Sequence, residues 1–155
     1  MRILFVCTGN SCRSPLAEAI AARMVSARAL GAIAVGSAGT SASSGASASD
    51  GAVLVGLEHE LDLASHRARL LTRDLVTQAE LILAMGPHHL EQVEALGGER
   101  KAHLLTSYAS HGSNQAPVSD PFGGDLDVYR ATYDELEREL TRMFDRLLAE
   151  RGLGT

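Results

Sequence analysis

A chain of 155 residues with 45% hydrophobic residues is long enough for one domain with a sizeable core, and its formal net charge of −5 provides no basic field to gather nucleic acid. Both of its cysteines, Cys7 and Cys12, fall in one short stretch, which is no disulfide framework and suits a reactive thiol in a reducing compartment. The N-terminal apolar run is too short for a signal-peptide core and no stretch reaches membrane-span length, so the expected setting is the cytoplasm, with no membrane partner.

Arg2–Val6 reads as a buried parallel strand, apolar from Ile3 onward. A polar stretch follows, Cys7 to Pro15, read as C-T-G-N-S-C-R-S-P. Leu16 to about Ala29 then has helical spacing through Leu16, Ile20, Met24 and Ala27, with Ser14 as expected N-cap, Pro15 as first helical residue and Gly31 as stop. Ala32–Ser37 is a second strand. Gly39 to Asp50 is a Ser/Ala/Gly-rich loop placed to wall the same cleft, and it carries no aromatic residue. Ala52 to about Leu61 is a helix carrying Val53, Leu54 and Leu57, and Asp62–Leu71 is a connection. Thr72 caps a short helix, Glu80–Met85 is a third strand, and Gly86-Pro87 opens a helix to about Leu96. Ala102–Leu105 is a short fourth strand. Thr106–Gly124 is a long loop, of a length that points to function. Asp127 to Arg151 is an amphipathic helix with Tyr133, Leu136, Leu140, Phe144 and Leu147 along one stripe. Strands alternating with helices predict an α/β fold, an open parallel sheet with helices on both faces and ligands bound beyond the carboxyl ends of the strands. The whole span 1–155 is expected to be a single domain.

The stretch from Cys7 to Ser14 sits at such an end. A loop between strand and helix turns backbone N–H groups inward, and the helix adds the positive end of its dipole. Residues Thr8, Gly9, Asn10, Ser11, Cys12, Arg13 and Ser14 would thus cradle a tetrahedral dianion, with Gly9 allowing close backbone approach. Arg13 supplies a planar two-donor fork, and Cys7 lies beneath the bound phosphorus. These surroundings favour the thiolate over the thiol, and the Ser14 hydroxyl is placed to donate to its sulfur. Attack on phosphorus expels a poor leaving group and therefore needs a general acid. The long loop offers Asp120, held by Pro121, with Asp125 and Asp127 as rivals on composition alone. Those two also read as solvated or first-turn acids of the last helix.

The stretch C-T-G-N-S-C-R-S-P resembles the signature loop of the low-molecular-weight protein tyrosine phosphatases, a family that includes protein arginine phosphatases and thioredoxin-coupled arsenate reductases. The resemblance continues through S-A-G at Ser37–Gly39, H-R-A-R at His66–Arg69 and D-P-F-G-G at Asp120–Gly124. It implies a three-layer, four-stranded sheet in the order 2-1-3-4. It implies a phosphocysteine at Cys7 and an acid at Asp120 that later activates water. It places Asn10, Ser14, Ser37 and His66 in a network supporting the loop, although His66 alone would read as an ordinary core or surface histidine. It also implies a protective Cys7–Cys12 disulfide; otherwise Cys12 is a small residue packed behind the loop. His59, His88, His89, His103 and His111 have no ligand spacing, so neither metal nor other cofactor is expected.

The resemblance leaves three enzyme readings. An arsenate reductase needs relay cysteines that are absent beyond Cys12. Protein arginine phosphatases of the family carry threonine after the nucleophile, where tyrosine phosphatases usually carry an aliphatic residue, and here it is Thr8. A phenol ring wants apolar walls, and Phe122 is the nearest candidate; a guanidinium wants a carboxylate, and Asp120 offers one. The expected substrate is therefore phosphoarginine on proteins, with phosphotyrosine as the alternative and inorganic phosphate as product. A redox sensor built on Cys7 and Cys12 would need neither Arg13 nor Asp120.

Overall fold

The computed structural model describes residues 1–152. In chain order the elements are β1 (Arg2–Cys7), α1 (Arg13–Ala27), β2 (Ala34–Gly39), α2 (Asp50–Glu58), α3 (Arg73–Gln78), β3 (Leu81–Ala84), α4 (Pro87–Val93), β4 (Ala102–Leu104), α5 (Leu105–Ala109) and α6 (Leu126–Glu150). The strands form one sheet in the order β2-β1-β3-β4, and all three pairings are parallel. The expected α/β architecture and strand order are what the chain adopts.

β1 is buried on both sides, and its residues alternate between two cores as the two-residue period of a strand requires. Ile3, Phe5 and Cys7 face the larger core, which Leu16 and Ile20 of α1, Val55 of α2, Leu105 of α5 and Leu136, Leu140 and Phe144 of α6 complete. Leu4 and Val6 face a smaller core closed by Val76 of α3 and Val93 of α4. The α6 stripe is fully buried, and each such side chain contributes about 2 kcal/mol by leaving water. This packing fixes α6, and with it the loop preceding it, against α1.

Several boundaries differ from expectation for local reasons. α1 begins at Arg13, and its N-cap position is Cys12, with no side-chain cap. Ser14 lies inside the first turn because its hydroxyl is engaged by Asn10 and Cys7 instead of by the helix. α1 ends two residues early, and Ala29 at φ 54° reverses the chain where Gly31 was the expected stop. α2 packs through Ala52, Val55 and Gly56, leaving Leu54 and Leu57 exposed. A π-helical turn, Glu94–Gly98, extends α4 and turns at Gly97, whose φ is 97°. The long loop contains α5, buried through Leu105, Thr106, Tyr108 and Ala109. Thr72 caps α3 as expected, accepting from the Leu75 N–H at 3.2 Å. Among the described residues no helix is long and apolar enough to cross a membrane.

Candidate active site

Cys7 closes β1, and the chain from Thr8 to Cys12 then arcs back into α1. Strand β2 and the segment after it brace this arc from behind. Thr40 and Ser41 donate backbone N–H groups to the carbonyls of Cys7 and Thr8, both at 2.9 Å, and Ser49 donates to Ser11 at 2.9 Å. Gly39 is pressed so closely that a methyl group there would stand 2.5 Å from the Thr8 carbonyl oxygen and 2.8 Å from the Asn10 nitrogen. The Gly39–Asp50 stretch thus buttresses the loop. It does not wall the cleft as expected, for the cleft is lined by Cys7, Thr8, Gly9, Ser11, Cys12, Arg13, Asp120 and Phe122 and holds about 220 Å³.

Behind the arc lies a chain of hydrogen bonds whose directions are fixed. Asn10 is fully buried in left-handed backbone at φ 52°. Its side-chain amide donates to Ser14 Oγ at 2.8 Å and to Ser37 Oγ at 2.9 Å, and its Oδ1 accepts from the Arg69 N–H at 3.0 Å. The Ser37 hydroxyl in turn donates to Glu18 Oε1 at 2.6 Å. His66 Nε2 meets the Asn10 carbonyl at 2.8 Å, and Arg69 Nε donates to the Ser37 carbonyl at 2.8 Å. Because Ser14 Oγ accepts from Asn10, its O–H is free to point at Cys7 Sγ, 2.9 Å away. The four residues expected to support the loop are therefore brought together, with Glu18 and Arg69 added. Asn10 and Ser14, expected among the residues around a phosphate, turn their side chains into this network and line none of the cleft.

Arg13 is buried, with one guanidinium nitrogen on the Val118 carbonyl at 3.1 Å and the other 3.5 Å from Asp120 Oδ2. Its Nε has no hydrogen-bond partner among the described residues, so it remains a donor for an anion bound in the cleft. Asp120 is half-exposed and accepts from the Phe122 N–H at 3.1 Å. Its rivals are occupied elsewhere: Asp125 caps α6 by accepting from the Val128 N–H at 3.0 Å, and Asp127 pairs with Arg130 at 2.8 Å. Phe122 stands at the mouth of the cleft, 75% exposed. Cys12 is a buried free thiol within hydrogen-bonding reach of Ser49 Oγ at 3.2 Å and Tyr129 OH at 3.4 Å. Thr8 Oγ1 lies 2.7 Å from His89 Nε2.

Glu18, Arg69, His89, Ser49 and Tyr129 received no role at the site from the sequence. Glu18 follows Ser14 by one helical turn, and His89 opens the helix after β3, at the carboxyl end of the sheet; both are signals that pattern reading can use.

This arrangement brings a sulfur nucleophile supplied with a hydrogen-bond donor, a guanidinium and a carboxylate paired with it into the lining of one cleft. Residues 2–152 match the family described as low molecular weight phosphotyrosine protein phosphatase. The chain is 36% identical to a protein-arginine-phosphatase of Bacillus subtilis, over 97% of this chain and 99% of the relative. It is 34% identical to the low molecular weight protein-tyrosine-phosphatase Wzb of Escherichia coli K12, over 96% and 97% of the two chains. A solved YwlE arginine phosphatase, a cysteine-to-serine variant with a phosphorylated active-site serine, superposes with a TM-score of 0.91 at 37% identity, covering 99% of each chain. Fold, site and likeness together make this chain a cysteine-based phosphatase, and it belongs to the low molecular weight phosphotyrosine protein phosphatase family.

Proposed function

We propose that the span 1–155 acts as one catalytic domain that hydrolyses phosphoarginine on proteins, working in the cytoplasm on phosphorylated protein partners. The Cys7 thiolate attacks phosphorus while Arg13 and the loop N–H groups hold the phosphoryl oxygens. The P–N bond breaks with its electron pair going to the guanidine nitrogen, which takes a proton from Asp120. Water then attacks the phosphocysteine, gives its proton to Asp120, and returns the thiolate with release of inorganic phosphate. The phosphorylated serine of the related arginine phosphatase supports covalent transfer at the position of Cys7.

The observation that carries the choice of substrate is the lining of the cleft. Thr8 puts a hydroxyl beside the nucleophile and Asp120 puts a carboxylate at the mouth, while among the described residues Phe122 is the one aromatic in the lining. A guanidinium finds an acceptor there, and a phenol ring finds one wall in place of two. Phosphotyrosine remains the second reading because Phe122 presents an exposed ring. The test is kcat/KM on matched phosphoarginine and phosphotyrosine peptides, in the parent and in Thr8→Ile. The parent should prefer phosphoarginine and the variant should move toward phosphotyrosine, since a polar site that loses a partner discriminates strongly. A parent that prefers phosphotyrosine, or a ratio unmoved by the substitution, gives the site to the tyrosine reading. Peroxide should join Cys7 and Cys12, whose thiols are both free.

A further inference from the structure

His89 takes no part in the network behind the loop, yet it is completely buried and bonded to the residue that follows the nucleophile. It lies in the first turn of α4, beyond the carboxyl end of β3, and β3 is the strand beside β1. Its Nδ1 is buried and has no hydrogen-bond partner among the described residues, packed so near Gly86 that a methyl group there would stand 3.3 Å away. Burial, His88 and Arg13 push its pKa down to about 4, so the ring is neutral near pH 7 and carries one proton.

Two neutral forms differ in what they leave unsatisfied. With the proton on Nδ1, a buried N–H faces no acceptor, and orphaned buried N–H groups are the rarest kind. With the proton on Nε2, the ring donates to Thr8 Oγ1 across 2.7 Å and only a lone pair is left over at Nδ1. The threonine then cannot donate to His89. Its O–H is available to the cleft that Thr8 lines.

We propose that His89 is a positioning residue, which donates from Nε2 to Thr8 and so holds the Thr8 hydroxyl as a donor to the water that hydrolyses the phosphocysteine. The inference rests on the phosphatase reading above. In that step one lone pair of the water forms the new O–P bond, and the P–S bond breaks with its electrons going to Cys7 as thiolate. One water proton passes to the Asp120 carboxylate, and the second lone pair accepts from Thr8 O–H. The water is thereby held at two points. Formation of the phosphocysteine uses no water, so the effect belongs to the second half of the reaction.

The first test needs no variant. Nitrogen–proton correlation spectra of the parent near pH 7 should show the His89 ring protonated at Nε2, and a ring protonated at Nδ1 overturns the proposal. The second test is rapid mixing with p-nitrophenyl phosphate. His89→Leu should lower kcat roughly tenfold, about the loss of one ordinary hydrogen bond. KM should fall in parallel, kcat/KM should hold, and a burst of nitrophenolate should mark accumulated phosphocysteine. His89→Gln should restore kcat, because its amide nitrogen reaches where Nε2 stands. Thr8→Val should reproduce the burst, and the double variant should be no slower than either single one. Loss of kcat and kcat/KM together without a burst, or multiplying effects, means that His89 is only structural. A parent that releases no nitrophenolate refutes the phosphatase reading itself, and the ring spectrum then still decides the hydrogen bond. If His89→Leu does not fold, the spectrum, His89→Gln and Thr8→Val carry the decision.

Discussion

Replacing Asn10 with alanine is the sharpest test of how the catalytic loop is held. The substitution deletes three hydrogen bonds, two buried at 2.8 and 2.9 Å and one part-buried at 3.0 Å. Each contributes about 1 kcal/mol net, and more where a buried partner such as the Ser37 hydroxyl loses its donor. Alanine must also adopt φ 52°, which costs it about 1–2 kcal/mol. The expected loss is about 4 kcal/mol, a large part of the ~5–15 kcal/mol that holds a domain folded. Urea denaturation reads it as a lower midpoint at unchanged slope. Asn10→Gly separates the two parts, because glycine accepts the backbone but not the bonds; it should lose about 1 kcal/mol less than alanine. Ser14 would also lose the donor that orients its hydroxyl, so turnover should fall in both variants. A loss under 1 kcal/mol, or equal stability of the alanine and glycine forms, would refute the view that these bonds and this strained residue set the loop.

Asp120→Ala should slow turnover by roughly 10²–10⁴-fold, and less for substrates with good leaving groups, as steady-state rates on esters of graded phenol acidity will show. Asp125→Ala should instead lose about 1 kcal/mol of stability as a missing cap and keep its rate; a larger rate loss there than at Asp120 reassigns the acid. Cys7→Ser should release no phosphate over many turnovers yet gain the mass of one phosphoryl group, as the related serine variant does, and multiple turnovers would remove Cys7 from its role. His89 titrates near 4 in the folded protein against 6.5 ordinarily, so its protonation favours the unfolded chain. The stability it brings should be complete above about pH 6.5 and decline as pH falls toward 4. Urea midpoints of the parent should therefore drop more over that window than those of His89→Gln, and parallel curves would contradict it.

The sheet was legible because its strands are short apolar runs set between helical stripes, and α6 because Tyr133, Leu136, Leu140, Phe144 and Leu147 keep one face over many turns. α5 was not, since five residues are too few to show a period and its burial comes from neighbours in the fold, β3, β4 and α6 among them. Leu54 and Leu57 misled because α2 makes its contact with small residues: Gly56 admits Leu63, and Gly51 lies under the Tyr129 ring. The chemistry expected of Cys7 and Arg13 was readable from residue types around one loop, whereas Asp120, in a different loop, stood apart from Asp125 and Asp127 only through the family resemblance. The sequence offered Ser14 both as a helix cap and as a donor to Cys7, and the structure decides for the second: Asn10 reaches Ser14 from a left-handed turn and leaves its O–H for the sulfur. What the sequence concealed was that Thr8 meets a histidine, because that depends on two strands lying side by side.

The close approach of Gly39 has a consequence for how this scaffold diversifies. The catalytic arc is moulded against the end of a neighbouring strand with no slack, since a single added methyl group would collide with two of its backbone atoms. Neither lengthening the arc nor enlarging the residue behind it is open to the chain. The opposite rim is built differently: Phe122 stands 75% exposed, with open space beside it around Gly123, whose φ of 81° keeps that position for glycine. New substrate preferences in this architecture must therefore enter from the rim, or through the side chain at position 8, while the mould stays fixed.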